Sequence, residues 1–175
     1  MSSTSEKLVH SVLRSLERRR CGARVIVALL GAGKRGLAAR RRMAAALARR
    51  GILALVPEDD LPEDAAPSLA ERAILSSDDV DLVFINVESW GSAVEFGQFH
   101  ENEKIAPKLR VLVSPEHHPF HGESVGYLAD LYLSHLSMFG HVYAVNGEAR
   151  VRLPSTWTLV RKLSERYRQI KTLGG

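Results

Sequence analysis

One cysteine, Cys21, stands in a chain of 175 residues, so no disulfide can form within it. Aromatic residues are scarce at 6%. Few of them lie among the arginines, which disfavours a stacking surface for nucleic acid. No apolar run approaches the roughly 18 residues of a membrane helix. The first twenty residues, MSSTSEKLVHSVLRSLERRR, lack the continuous apolar stretch of a secretion signal. A membrane partner is therefore not expected, and the expected compartment is cytoplasmic. Neither Cys-x-x-Cys nor His-Glu-x-x-His occurs, so no metal set is expected. Net charge is modest, +4. The arginines cluster at Arg18 to Arg20, Arg40 to Arg42, and Arg49 with Arg50; as a composition feature these read as solvated helix faces.

What is present is an alternation of apolar runs and helical patterns. Residues 5–20 repeat Leu8, Val12, Leu13 and Leu16 at helical spacing, which predicts an N-terminal helix within 1–22. Five short runs rich in β-branched residues predict strands: RVIVALL, ILALVP, DLVFIN, RVLVSP and HVYAV. Helices are expected over 36–50, 68–76, 92–104, 123–138 and 155–171, and EDDLPEDAAP is expected to be a loop. The first four strands are almost continuously apolar, the mark of a parallel sheet covered on both faces. The expectation is one three-layer α/β domain over 1–175, with about five mainly parallel strands, Rossmann- or flavodoxin-like. In such sheets ligands bind beyond the carboxyl ends of the strands. The loops 31–36, 57–67, 86–92, 114–122 and 146–153 are thus the ones to read for function.

The first of these loops reads GAGKRG. Gly31, Gly33 and Gly36 have G-x-G-x-x-G spacing, between an expected strand and an expected helix. Glycines admit a close phosphate, and a helix start offers amide donors. Lys34 suits an anion, and an acid among Glu58, Asp59 and Asp60 could hold a ribose. A tight strand-to-helix turn explains the same glycines equally well.

The third loop leads into GSAVEFG. Ser92-x-x-Glu95 fits a capping box, with Ser92 at the N-cap and Glu95 reaching back to it. It also fits a ligand site, because it follows the carboxyl end of a central strand. The segment resembles the G-[ST]-x-x-E-x-G stretch of nucleoside 2-deoxyribosyltransferases. That resemblance implies a flavodoxin-like fold and N-glycosidic bond cleavage or transfer, with Glu95 as the nucleophile. It further implies Gly91 and Ser92 as a close-approach turn beside the substrate, and Gly97 as a packing position. The family carries an aspartate six residues before its glutamate; that slot is Ser89 here. For the acid the family places before its third strand, Glu71 is the candidate, and Asp81 is expected at the wrong end of the strand. The segment also resembles TIR-like domains, loosely, through Ser89 and Trp90. It is similar to SLOG-type and lysine-decarboxylase-like proteins, which pair a glycine-rich first loop with the same glutamate element.

The loop SPEHHPFHGES offers His117, His118 and His121. A solvated loop is the plain reading; base or phosphate contact is the functional one. The helix around Leu128, Leu131, Tyr132 and Leu136 is read as core or as a dimer face, and His135 and His141 as structural. The leading expectation is a nucleoside- or nucleotide-binding N-glycosidase or transferase that needs no cofactor and forms a homo-oligomer. Glu95 would be catalytic, with Gly31, Gly33, Lys34, Ser89, Gly91 and Ser92 at the substrate and Asp59, His117, His118 and His121 as further candidates. A non-catalytic nucleotide sensor is the alternative, followed by a nicotinamide-dependent oxidoreductase and a nucleic-acid binder.

Overall fold

The five apolar runs form one sheet. The computed structural model describes residues 25–31, 33–61, 67–146 and 152–173, with residues 7, 10, 11 and 14. Apart from those four positions, the helix expected over 5–20 lies outside the described residues. The order along the chain is β1 (Val25–Gly31), α1 (Gly33–Ala48), β2 (Ile52–Leu55), α2 (Pro57–Asp60), α3 (Pro67–Leu75), β3 (Leu82–Asn86), α4 (Trp90–His100), β4 (Leu109–Val113), α5 (Tyr127–Phe139), β5 (Val142–Ala144) and α6 (Thr156–Leu173). The strands lie in the order β2-β1-β3-β4-β5, and every pairing is parallel. The expected three-layer parallel α/β architecture is therefore the one found.

Strand alternation divides the core into two faces. Ile26, Ala28, Leu30, Val83, Ile85, Val111 and Val113 face one way, against Ile74, Phe96, Phe99 and Tyr132 of α3, α4 and α5. Val25, Val27, Leu29, Leu82, Phe84 and Leu112 face the other way, against Met43 and Leu47 of α1 and Trp157 and Val160 of α6. Both faces are covered, which is why the strands carry almost no polar residues. Among the described residues no helix is long and apolar enough to cross a membrane.

Element starts differ from the expectation where local chemistry decides them. The stretch expected as a loop after β2 opens with a helical turn, α2. Pro57 occupies its first position, where the missing N–H is not needed. Three acids, Glu58, Asp59 and Asp60, fill that turn, where the helix dipole favours negative charge. α4 starts at Trp90 rather than at 92. Asp81 lies at the amino edge, as expected. Its carboxylate accepts from the Ile26 amide at 2.8 Å and meets Lys171 Nζ at 2.7 Å.

The chain leaves β1 toward β2 on one side, and reaches β3 on β1's other side. The crevice between the carboxyl ends of β1 and β3 is thus the topological switch point, where ligands of such sheets bind. Gly31 and Asn86 face each other there. Gly31 has φ +125°, and a Cβ on it would stand 2.5 Å from the Asn86 carbonyl oxygen. The first glycine of GAGKRG is therefore required by strand packing, whatever binds nearby. Gly31→Ala combines a left-handed backbone with a main-chain clash. It is expected to lower unfolding free energy by about 3 kcal/mol or more, read by urea titration. A loss below about 1 kcal/mol would contradict this account of Gly31.

Candidate functional site

Arg40 organises the carboxyl edge. It lies on the inward stripe of α1 with Met43, Ala44 and Leu47, and only 4% of it is exposed. Its guanidinium donates to the Gly31 carbonyl oxygen through Nη1 and to the Glu58 carboxylate through Nη2. The reading of Arg40 to Arg42 as a uniformly solvated face fails at this residue; Arg41 and Arg42 are exposed. Asp59, considered for a ribose, accepts from Arg41 Nε at 2.8 Å. That hydrogen bond, first among the causes, holds its carboxyl below the usual range. Asp60 accepts from the Val56 amide at 2.8 Å. The acids after β2 are thus joined to α1 and to their own turn. Gly33 opens α1. The side chain of Lys34 lies outside the described residues.

The capping box at α4 is real but differs from the expected one. Ser89 is the N-cap, in extended backbone, and Ser92 is the third helical residue. The Ser92 amide donates to Ser89 Oγ at 3.2 Å, and the Ser89 amide donates to Ser92 Oγ at 3.0 Å. Ser92 Oγ also accepts from the Glu88 amide at 3.2 Å and donates to the Ser89 carbonyl at 2.9 Å. Serine can fill both roles because its hydroxyl both donates and accepts. Both hydroxyls are therefore engaged at the helix start, and Ser92 is buried. Gly91 is exposed, and a Cβ there would meet only Ser89 Oγ, at 3.8 Å. Backbone packing therefore does not demand a glycine at 91.

This arrangement releases Glu95 from capping. Glu95 stands in the second turn of α4, half-buried beside the fully buried Phe96. Among the described residues nothing donates a hydrogen bond to its carboxylate. Burial, followed by the charge of Glu58, pushes its pKa up, and Arg40 pulls it down. Glu71, on α3, is half-buried as well. Burial first, then the charges of Glu95 and Glu58, raise it to about 7, again against Arg40. Three carboxylates and one guanidinium thus share one electrostatic neighbourhood, assembled from α1, α2, α3 and α4. Such a neighbourhood favours a proton on Glu71, where burial adds to the charges of Glu95 and Glu58.

The histidine loop is built differently. His118 is buried. Its Nδ1 accepts from the Phe120 amide at 3.1 Å, and its Nε2 lies 3.2 Å from the Val142 carbonyl, to which it donates. Both ring nitrogens are thus used by backbone, and burial holds the ring below its usual pKa. His121 packs against it with ring centroids 4.9 Å apart. His117 is exposed and bonds Ser124 Oγ at 3.0 Å. Among the described residues no group of three His, Cys, Asp or Glu is placed to hold a metal ion. His135 is fully buried against His100, with Nδ1 atoms 3.0 Å apart, and burial pushes it down to about 4.

Sequence reading missed Arg40 and left Glu71 a weak candidate. The signal for Arg40 was its place on the apolar stripe of α1, seven residues before Leu47. Glu71 gave no comparable signal, because it sits on a different element from Glu95. A cavity of about 800 Å³ opens between α1 and the start of α6. Arg40 and Asn86 line it, whereas Glu71 and Glu95 do not. The carboxylates and the cavity are therefore adjacent regions that share Arg40.

A family model, that of the STM3845 retron effector protein, matches residues 59–121, less than half of the chain. The matched stretch carries both Glu71 and Glu95. No curated protein matches the chain.

The Glu71 environment has a consequence for stability. Its folded-state pKa lies above its unfolded value of 4.5, so the folded protein binds this proton more tightly. The associated stabilisation is fully present below pH 4.5 and is lost as pH rises through about 7. Glu71→Gln removes the charge that burial opposes. The variant is expected to exceed wild type in unfolding free energy at pH 8 by about 1–3 kcal/mol, with little difference at pH 5. Urea titrations at the two pH values read this directly, and equal differences at both would contradict it.

Proposed function

We propose that the chain binds a nucleoside or nucleotide and cleaves or transfers its N-glycosidic bond, with Glu95 as nucleophile and Glu71 as proton donor. The observation that carries the reading is the half-buried Glu71 and Glu95 pair on α3 and α4, beside the switch point between β1 and β3. A Glu95 oxygen would form a bond to the anomeric carbon as the carbon–nitrogen bond breaks. The departing electron pair goes to the base nitrogen, which takes the Glu71 proton. Water or a second base, deprotonated by Glu71, then displaces the glycosyl ester and restores Glu95. A pKa near 7 suits a group that gives and regains a proton at neutral pH. The open turn at Gly91 leaves room for a sugar, while Ser89 and Ser92 act as positioning residues by fixing the helix start. The resemblance of GSAVEFG to nucleoside 2-deoxyribosyltransferases supports the same chemistry. The match of residues 59–121 to a retron effector model supports an effector role for that activity.

A second reading, a non-catalytic nucleotide sensor, is favoured by one observation. The hydroxyls of Ser89 and Ser92 are taken up by the helix cap, which leaves neither free to orient a substrate.

The test is incubation of wild type, Glu95→Gln and Glu71→Gln with nucleosides, nucleotides and NAD, read by mass spectrometry for free base and glycosyl adduct. Wild type is expected to release base. Glu95→Gln should lose about a thousandfold or more of that rate. Glu71→Gln should lower kcat and remove the fall of activity above about pH 7 that deprotonation of Glu71 causes. Full turnover by Glu95→Gln would overturn the assignment. A ligand bound and recovered intact would establish the sensor instead.

A further inference from the structure

The arginines of α1 and of the turn after it are not equivalent. Arg40 binds Glu58, Arg41 binds Asp59, and Arg50 meets Glu165 at 2.7 Å. Arg42 and Arg49 are exposed, and among the described residues neither has a hydrogen-bond or ion-pair partner. They are seven positions apart, Arg42 within α1 and Arg49 in the turn that follows it. Both line the cavity of about 800 Å³, a volume within the usual range for small-ligand sites. α1 carries no acidic residue of its own. Four arginines, Arg40, Arg42, Arg49 and Arg50, against one carboxylate, Glu88, therefore give the recess net positive charge, and its other walls combine apolar Met43, Phe84 and Trp157 with polar Asn146, Ser155 and Thr156. Asn86 adds a polar point. Its Nδ2 donates to Glu88 at 2.6 Å, and its Oδ1 has no donor among the described residues. A planar body with an anionic end matches this distribution: arginine forks suit phosphate oxygens, and aromatic and apolar walls suit a ring.

We infer that the groove between α1 and α6 is a binding site for a phosphorylated nucleoside, with its phosphates on Arg42 and Arg49 and its base among Met43, Phe84 and Trp157. This site does not contain Glu95 or Glu71. It stands whether or not those residues perform catalysis.

The experiment is titration calorimetry of the full chain with each of the four ribonucleoside triphosphates, with inorganic pyrophosphate and with the four unphosphorylated nucleosides. A parallel titration follows Trp157 fluorescence in a Trp90→Phe background. At least one triphosphate is expected to bind and to change Trp157 emission, with the matching nucleoside and pyrophosphate each at least about tenfold weaker. Arg42→Glu and Arg49→Glu should each weaken the triphosphate about tenfold or more. Both positions are exposed, so thermal melts should match wild type. The titrations are run in a Glu95→Gln background, which prevents turnover of the titrant, so that the effect of the arginine variants reports on this groove. The inference is overturned if no triphosphate binds at millimolar concentration, or if the arginine variants bind unchanged. It is also overturned if pyrophosphate binds as well as the triphosphates. Tight binding of a single-stranded oligonucleotide with none of the mononucleotides would likewise overturn it, in favour of a nucleic-acid surface.

Discussion

The carboxyl edge of this sheet depends on one buried guanidinium. Arg40 reaches from the inward stripe of α1 to the carbonyl oxygen of Gly31 and the carboxylate of Glu58. It thereby joins the end of β1 to the turn that follows β2. Leaving a buried charge without its partner costs about 3–5 kcal/mol, so the pairing fixes where α2 can sit. The Gly31–Asn86 contact then fixes β3 against β1. Two constraints, one electrostatic and one steric, determine the shape of the switch-point crevice.

The same guanidinium sets the balance of charge around Glu71 and Glu95. Burial raises both carboxyls, the charge of Glu58 adds to the rise in each and that of Glu95 to the rise in Glu71, and Arg40 opposes it in both. Without that positive charge, both would be driven further toward the protonated form. With it, the rise at Glu71 still reaches about 7. Arg40 also lines the groove between α1 and α6. An anion bound there would act on the field at the carboxylates without touching them.

The architecture was legible because burial on both faces leaves a simple trace. Val25–Gly31 and Leu82–Asn86 are almost wholly apolar, and only a covered parallel sheet accommodates such runs. Helix starts were less legible, since they turn on single hydroxyls. Ser92-x-x-Glu95 and Ser89-x-x-Ser92 overlap, and the second closes the cap because serine can stand in for glutamate at the third position. Glu95 was conspicuous beside GSAVEFG. Its partner was not, since Glu71 comes from another helix and only the fold brings the two into one field. Arg40 was hidden in a run of three arginines, two of which face solvent. Composition cannot separate the three; the position of Arg40 relative to Met43 and Leu47 can. His118 looked like a ligand candidate because histidines crowd its loop, yet both its nitrogens are taken up by backbone groups of Phe120 and Val142.

The account rests on coupling between Glu71 and Glu95. The most direct measurement is a carbon-13 NMR titration of the glutamate side-chain carboxyls, in wild type and in Glu95→Gln. The account predicts that Glu71 titrates near pH 7 in wild type and at a clearly lower pH once residue 95 is uncharged. A wild-type Glu71 that titrates in the ordinary carboxylate range, or one unmoved by Glu95→Gln, would contradict it.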